Sequence, residues 1–174
     1  QSMMDAIEYL LKNNKFDHKD ITELVVDIPS DRYHIVNDRE ILSISAQHLI
    51  AVHLIKKKMG YVEAHDEKLF DDPEVVSLRK KIKAVSSDEL AIARPERQSK
   101  IRIKFSNNKE LFYHAKSVRG TPDNPMDEKD ITAKSKRLLE VFKTSQTDDL
   151  IELILHKDFT IDELVKLCNL SLKE

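Results

Sequence analysis

Glycine is nearly missing from this chain, with two in 174 residues, and proline, cysteine and tryptophan are scarce too, at five, one and none. Two glycines cannot supply a glycine-rich nucleotide loop, and neither a Gly-x-Ser-x-Gly elbow nor a zinc-ligand spacing is present. The lone cysteine, Cys168, excludes an internal disulfide framework, fits a reducing compartment, and sits in an apolar helical pattern as a packed thiol. No apolar run approaches the roughly 20 residues of a membrane span. An excess of either charge is also lacking: 29 basic and 31 acidic residues give a net charge of -2, with no general electrostatic drive toward nucleic acid. These absences predict a soluble, cytoplasmic protein that needs no metal or other cofactor and binds neither membrane nor nucleic acid.

What is present divides into recognisable elements. Met3, Met4, Ile7, Leu10 and Leu11 have helical spacing from the first residues onward, with no capping segment ahead of them, so the chain reads as a piece of a longer one. Ile21 to Ile28 is rich in β-branched residues, stops at Pro29 and predicts a strand. A polar connector leads to a helix from about Ile41 to Lys58. Asp72-Pro73-Glu74 combines an N-cap, a first-turn proline and an acidic first turn ahead of Val75 to Ile82. A short strand over Lys83 to Ser86 precedes a hairpin, Ile101 to Phe105 and Glu110 to Lys116, around Asn107-Asn108. A helical pattern runs from Met126 to Phe142. Two short helices, Asp148 to His156 and Ile161 to Leu170, close the chain, the second opened by a Thr160/Glu163 capping box. The fold class is α+β: an antiparallel sheet of three to four strands with helices packed on one face, plus a helical tail over 146-174.

Two segments draw functional interest. Ser117 to Pro125 spends one of the two glycines and two of the five prolines on a single turn. Gly120 permits positive φ, while Pro122 and Pro125 restrict the residues before them. The turn follows a strand and precedes a helix, where backbone amides and Arg119 can hold a carboxylate or phosphate. A plain strand-to-helix connector explains the same residues. The second segment, Ser43 to Ile55, is apolar around most of a helix, so Gln47 and His48 must either find buried partners or line a cleft. His53 lies on another side of that helix and makes no metal clamp with His48. The basic residues Lys100, Arg102, Lys104 and Lys116 read as the solvated face of the hairpin.

The ordered set of the opening helix, the strand Ile21 to Ile28, Ser45-Ala46-Gln47-His48-Leu49-Ile50-Ala51, Phe70 to Val75, the hairpin and Gly120 to Met126 resembles the C-terminal domain of the MmgE/PrpD family. That family includes 2-methylcitrate dehydratase and cis-aconitate decarboxylase. The resemblance is good over residues 1 to 145 and loose in the tail. It implies a metal-independent, two-domain lyase for small di- or tricarboxylic acids, homodimeric when full length. A large helical N-terminal domain would supply several catalytic groups, and this domain would serve as the lid. Residues 1-174 would then be the lid alone, inactive by itself. His48 matches a position that is commonly tyrosine in the family and is the candidate catalytic residue. Gln47, Arg119, Gly120 and Thr121 are candidate substrate-binding residues, with a shaping role for Gly120 and Thr121. A stand-alone binding or scaffold domain that keeps the lid fold is the competing expectation.

Overall fold

The computed structural model describes residues 1-140, 142-143, 146-168 and 171-172, which divide into two compact units, 1-125 and 126-174. In the first unit, helix α1 (Ser2–Asn13) turns Met3, Ala6, Ile7 and Leu10 inward, the three- and four-residue spacing visible in the sequence. Strand β1 (Ile21–Pro29) buries Leu24, Val26 and Ile28 on the same side of the sheet as α1. Helix α2 (Ser30–Val36) follows Pro29 directly, where the polar composition predicts only a connector. After a short 3-10 turn at Leu42–Ile44, Ser45 is extended and helix α3 (Ala46–Lys56) begins, so the helix expected from Ile41 starts five residues later.

Helix α4 (Tyr61–His65) is a single short turn. Helix α5 (Pro73–Arg79) starts as its sequence dictates: Asp72 Oδ1 accepts from the amides of Glu74 at 2.9 Å and Val75 at 3.0 Å, and Pro73 opens the first turn. It ends three residues before the expected Ile82, which instead begins strand β2 (Ile82–Ser87). Helix α6 (Asp88–Ile92) is capped by Ser87, and strands β3 (Ser99–Phe105) and β4 (Glu110–Ala115) form the hairpin. Asn108 takes φ 63° in its turn, while Asn107 Oδ1 accepts from the Lys109 amide at 3.0 Å.

The sheet order is β2-β1-β3-β4. Both pairings of β3 are antiparallel, but β1 and β2 run parallel, from Leu24 opposite Ile82 to Pro29 opposite Ser87. A parallel neighbour needs a long crossover, and the helical stretch between residues 30 and 81 provides it. Ser99, Ile101, Ile103 and Phe105 alternate inward with Lys100, Arg102 and Lys104 on the opposite face. One core joins α1, α3, α5 and the inner face of the sheet, with Ile7, Leu24, Ile50, Leu54, Val75, Ile101 and Ile103 inaccessible or nearly so.

The outer face is charge-compensated. Lys100 pairs with Glu89 of α6 at 2.8 Å, Arg102 with Asp27 at 3.1 Å, and Lys104 with Glu23 at 3.6 Å. Its basic residues thus face carboxylates of neighbouring elements rather than forming a positive strip. Helix α6 therefore touches the face opposite the main core, beyond the single helical layer read from the sequence.

The second unit contains α7 (Glu128–Leu139), the short antiparallel pair β5 (Phe142–Lys143) and β6 (Ser171–Leu172), α8 (Thr147–His156) and α9 (Ile161–Leu167). The helix expected over Met126 to Phe142 starts at Glu128 under an Asp127 cap and gives way to β5. The capping box of α9 forms as expected, with Thr160 and Glu163 each satisfying the other's amide. The expected helix end at Leu170 lies outside the described residues. Cys168 is exposed, not packed as its apolar surroundings in sequence imply.

Candidate functional site

Helix α3 is buried almost all round, which leaves its polar residues to find partners inside the protein. Gln47 does so completely. Its Nε2 donates to Asn37 Oδ1 at 2.7 Å, and its Oε1 accepts from the Asp38 amide at 2.9 Å and from Ser45 Oγ at 3.4 Å. Asp38 has φ 45°, so this side chain holds the start of the α2-to-α3 connector in a conformation most residues avoid.

His48, the next residue, is treated differently by the fold. It has no accessible surface, neither ring nitrogen has a hydrogen-bond partner, and its ring stands edge-on to Phe70 with centroids 5.3 Å apart. Burial, reinforced by the positive charge of Arg79, pushes its pKa below the ordinary imidazole value. At neutral pH it is an uncharged imidazole with two unused polar atoms, each costly to leave unpaired.

Beside Gln47 lies a cleft of about 460 Å³ between the start of the connector and the α5-β2 junction, with Asn37, Asp38, Gln47, Arg79, Lys80 and Lys83 among the residues on its walls. Lys83 is held by Glu23 at 2.8 Å. Arg79, at the last position of α5, is half-buried, and its Nη1 is buried without a hydrogen-bond partner. That nitrogen is closed to solvent and so is not offered to a ligand in the open cleft, whose cationic side chains are Arg79, Lys80 and Lys83 taken as whole residues. Arg79, Asn37 and Asp38 escaped the sequence reading: a last-turn arginine reads as a complement to the helix dipole, and an Asn-Asp pair as a turn.

The turn after β4 is built otherwise. Gly120 has φ 90°, and its amide donates to the Asn124 carbonyl at 2.7 Å. The Thr121 amide and hydroxyl both donate to the Val118 carbonyl, at 3.2 and 2.7 Å, and the Arg119 amide donates to Asp5 Oδ2 at 3.0 Å. These amides are engaged within the protein, and the turn's geometry is that of a tightly bonded shape element. It follows β4, at one edge of the sheet, whereas the cleft adjoins β2 at the other. The fold thus gathers Gln47 and Arg79 at one cleft, encloses His48 beside Gln47 in the helix, and leaves Arg119, Gly120 and Thr121 apart from them.

Residues 1–158 match the MmgE/PrpD C-terminal domain. The chain belongs to that family. No curated protein sequence matches it. The match spans the first unit, with its cleft and its turn, and continues through α7 and α8 of the second. Among the described residues no group of three or more histidine, cysteine or acidic side chains is placed to hold a metal ion, and no helix is long and apolar enough to cross a membrane.

Proposed function

We propose that this chain is the lid domain of a lyase that removes water from a small di- or tricarboxylic acid of the 2-methylcitrate kind. Membership of the MmgE/PrpD family over residues 1–158 carries this reading. Dehydration of such an acid requires a base to take a proton next to a carboxylate, an acid to help hydroxide leave, and cationic donors to hold the carboxylates. The full-length protein, a cytoplasmic homodimer, supplies most of these groups from a helical N-terminal domain. This domain closes over the substrate and excludes water. Gln47 and the cationic wall near it are its contribution to substrate holding, and His48 carries or accepts a proton once closure gives it a partner. Arg119 contributes a carboxylate contact from a turn shaped by Gly120 and Thr121. No metal or organic cofactor enters the reaction.

Two features of the site support this assignment. His48 is an uncharged imidazole with both ring nitrogens unpaired, and the adjacent cleft has Arg79, Lys80 and Lys83 among the residues on its walls. The decisive experiment is a hydration-dehydration assay of the full-length protein on 2-methylcitrate and related acids, with His48→Phe alongside. Turnover that falls in the variant supports the reading; unchanged kcat and KM in His48→Phe remove His48 from the mechanism, and absence of turnover on any such acid removes the lyase itself. The competing reading, a binding domain without chemistry, is favoured by one observation: the cleft and its polar wall are complete within residues 37-84. Ligand binding without turnover in the full-length protein would select it.

A further inference from the structure

Tyr9 of α1 and Tyr113 of β4 lie face to face, with ring centroids 3.8 Å apart and planes 15° from parallel. Packing is the ordinary explanation, since α1 lies across the inner face of the sheet and an aromatic pair there adds to the apolar burial. It does not account for the closeness. Aromatic pairs settle into offset or edge-on arrangements with centroids about 4.5 to 7 Å apart, because a sandwich sets like quadrupoles against each other. Phe16 and Phe105, at 5.2 Å and 62°, follow that preference, whereas Tyr9 and Tyr113 do not. Near-parallel rings this close have little lateral offset, so carbons of one lie over carbons of the other.

The surroundings favour oxidation at this pair over other places in the chain. Tyr9 is 45% exposed and open to an external oxidant, while Tyr113 is half-buried. Burial raises the Tyr113 pKa, and the Tyr9 phenol and Asp5 raise it further, which sets both phenol oxygens and an acidic side chain in one neighbourhood. Asp5 lies one helical turn before Tyr9 and is itself held by the Arg119 amide at 3.0 Å. Tryptophan, which competes for oxidants, is absent, and there are only four tyrosines. Tyr61 stacks on His65 rather than on another phenol, and among the described residues no other two tyrosines are in ring contact.

We propose that Tyr9 and Tyr113 form a modification site at which oxidation joins the two rings carbon to carbon, as a dityrosine tether between α1 and β4. The co-reactant is hydrogen peroxide acting through a haem peroxidase. One electron and one proton leave each phenol, giving two phenoxyl radicals whose unpaired spin lies partly on the carbons ortho to oxygen. Those carbons couple through the ring faces, the direction the stack presents. Each ring then loses the hydrogen on its coupled carbon, regains one on its oxygen and becomes aromatic again. The protein is oxidised by the net loss of two hydrogens, and the peroxide is reduced to two waters. The exposure of Tyr9 leaves room for the rings to turn about the new bond. Unlike a disulfide, this bond persists among reducing thiols, and it closes a loop of about a hundred residues. The inference is independent of the lyase reading.

The test is treatment of the dilute 174-residue chain with a haem peroxidase and hydrogen peroxide, followed by intact mass, dityrosine fluorescence and mass spectrometry of the digested product. A monomer lighter by two hydrogens is expected, with the peptides of Tyr9 and Tyr113 joined. Tyr9→Phe and Tyr113→Phe, which keep the stacked rings but remove one phenol each, should both abolish the product, and Tyr61→Phe should leave it unchanged. The cross-linked chain should melt about 5 °C or more above the untreated one, as a long closed loop requires. The assignment is overturned if coupling occurs only between chains, if the joined peptides carry Tyr33 or Tyr61, if the product survives in Tyr9→Phe, or if the chain stays unjoined while free tyrosine couples under the same conditions. Because the peptide map uses the unaltered chain, it decides the matter even if a phenylalanine variant does not fold.

Discussion

Gln47 is bonded to Asn37 side chain to side chain, Nε2 to Oδ1 at 2.7 Å, and the same amide accepts from the backbone of Asp38 at 2.9 Å. One buried residue of α3 thus ties down the connector that forms a wall of the cleft.

Replacing it tests how much of the wall depends on that tie. Gln47→Leu leaves the Asp38 amide and the Asn37 side chain without their partner, and Asp38 at φ 45° loses its restraint. A loss of about 1 to 3 kcal/mol is expected in urea denaturation. Gln47→Glu keeps the acceptor for Asp38 but sets a carboxylate against Asn37 Oδ1, and should fall between leucine and the natural residue once Asn37 turns its amide group round. A wall held by packing alone would show glutamate as the worse substitution.

His48 predicts a pH dependence of stability. Its folded pKa lies below the ordinary value because of burial first and Arg79 second, while the unfolded chain titrates near the usual 6.5. Between those two values the unfolded state binds the proton that the folded state refuses, so folding stability decreases as pH falls through about 6.5 and levels off below the folded pKa. Above that window His48 has no effect. His114, lowered by burial and by Lys100 and Lys116, contributes with the same sign. His48→Phe should therefore hold its stability near pH 7.5, since it removes two unpaired buried nitrogens, and show a shallower decline toward pH 5.5. Denaturant midpoints at the two pH values check it; an equal decline in both proteins would refute the assignment of that slope to His48.

The two glycines make a matched pair. Gly120 occupies φ 90°, where a Cβ is strained, whereas Gly60 sits at φ -149° and ψ -167°, extended backbone open to any residue. Gly120→Ala should cost about 1 to 2 kcal/mol. Gly60→Ala should cost less. Thermal melts of the two variants compare them directly, and equal losses would show that the turn relaxes around the added methyl group.

Much of the fold was legible where the deciding interaction is local. Asp72-Pro73, the Thr160/Glu163 box, the Asn107-Asn108 turn and the alternation of β3 each carry their reason within a few residues. Helices α4 and α6 are five residues long, too short for periodicity to register, and α2 follows a proline with exposed polar residues. The parallel pairing of β1 with β2 depends on a crossover of some fifty residues, and nothing in either strand states its direction. At the candidate site, Gln47 and His48 stood out as polar residues in an apolar helix. Arg79 could not, because its burial is a property of the assembled walls and its position in sequence has a sufficient local explanation.

The division of the chain yields the last prediction. Every residue of the main core, from Met3 to Ala115, lies in residues 1-125, as do all four strands of the larger sheet. The second unit has 49 residues, and of its described hydrophobic side chains only Leu150 is buried, at 7% exposure. A unit below roughly 70 residues rarely gathers enough apolar burial to offset chain entropy. Residues 1-125 expressed alone should then unfold in one cooperative transition. Residues 126-174 alone should show weak helicity that melts gradually, supported only by caps such as Thr160 and pairs such as Lys136 with Asp148 at 2.6 Å. Circular dichroism melts of the two pieces decide it. Failure of 1-125 to fold would mean that the sheet and its helices need residues beyond Pro125.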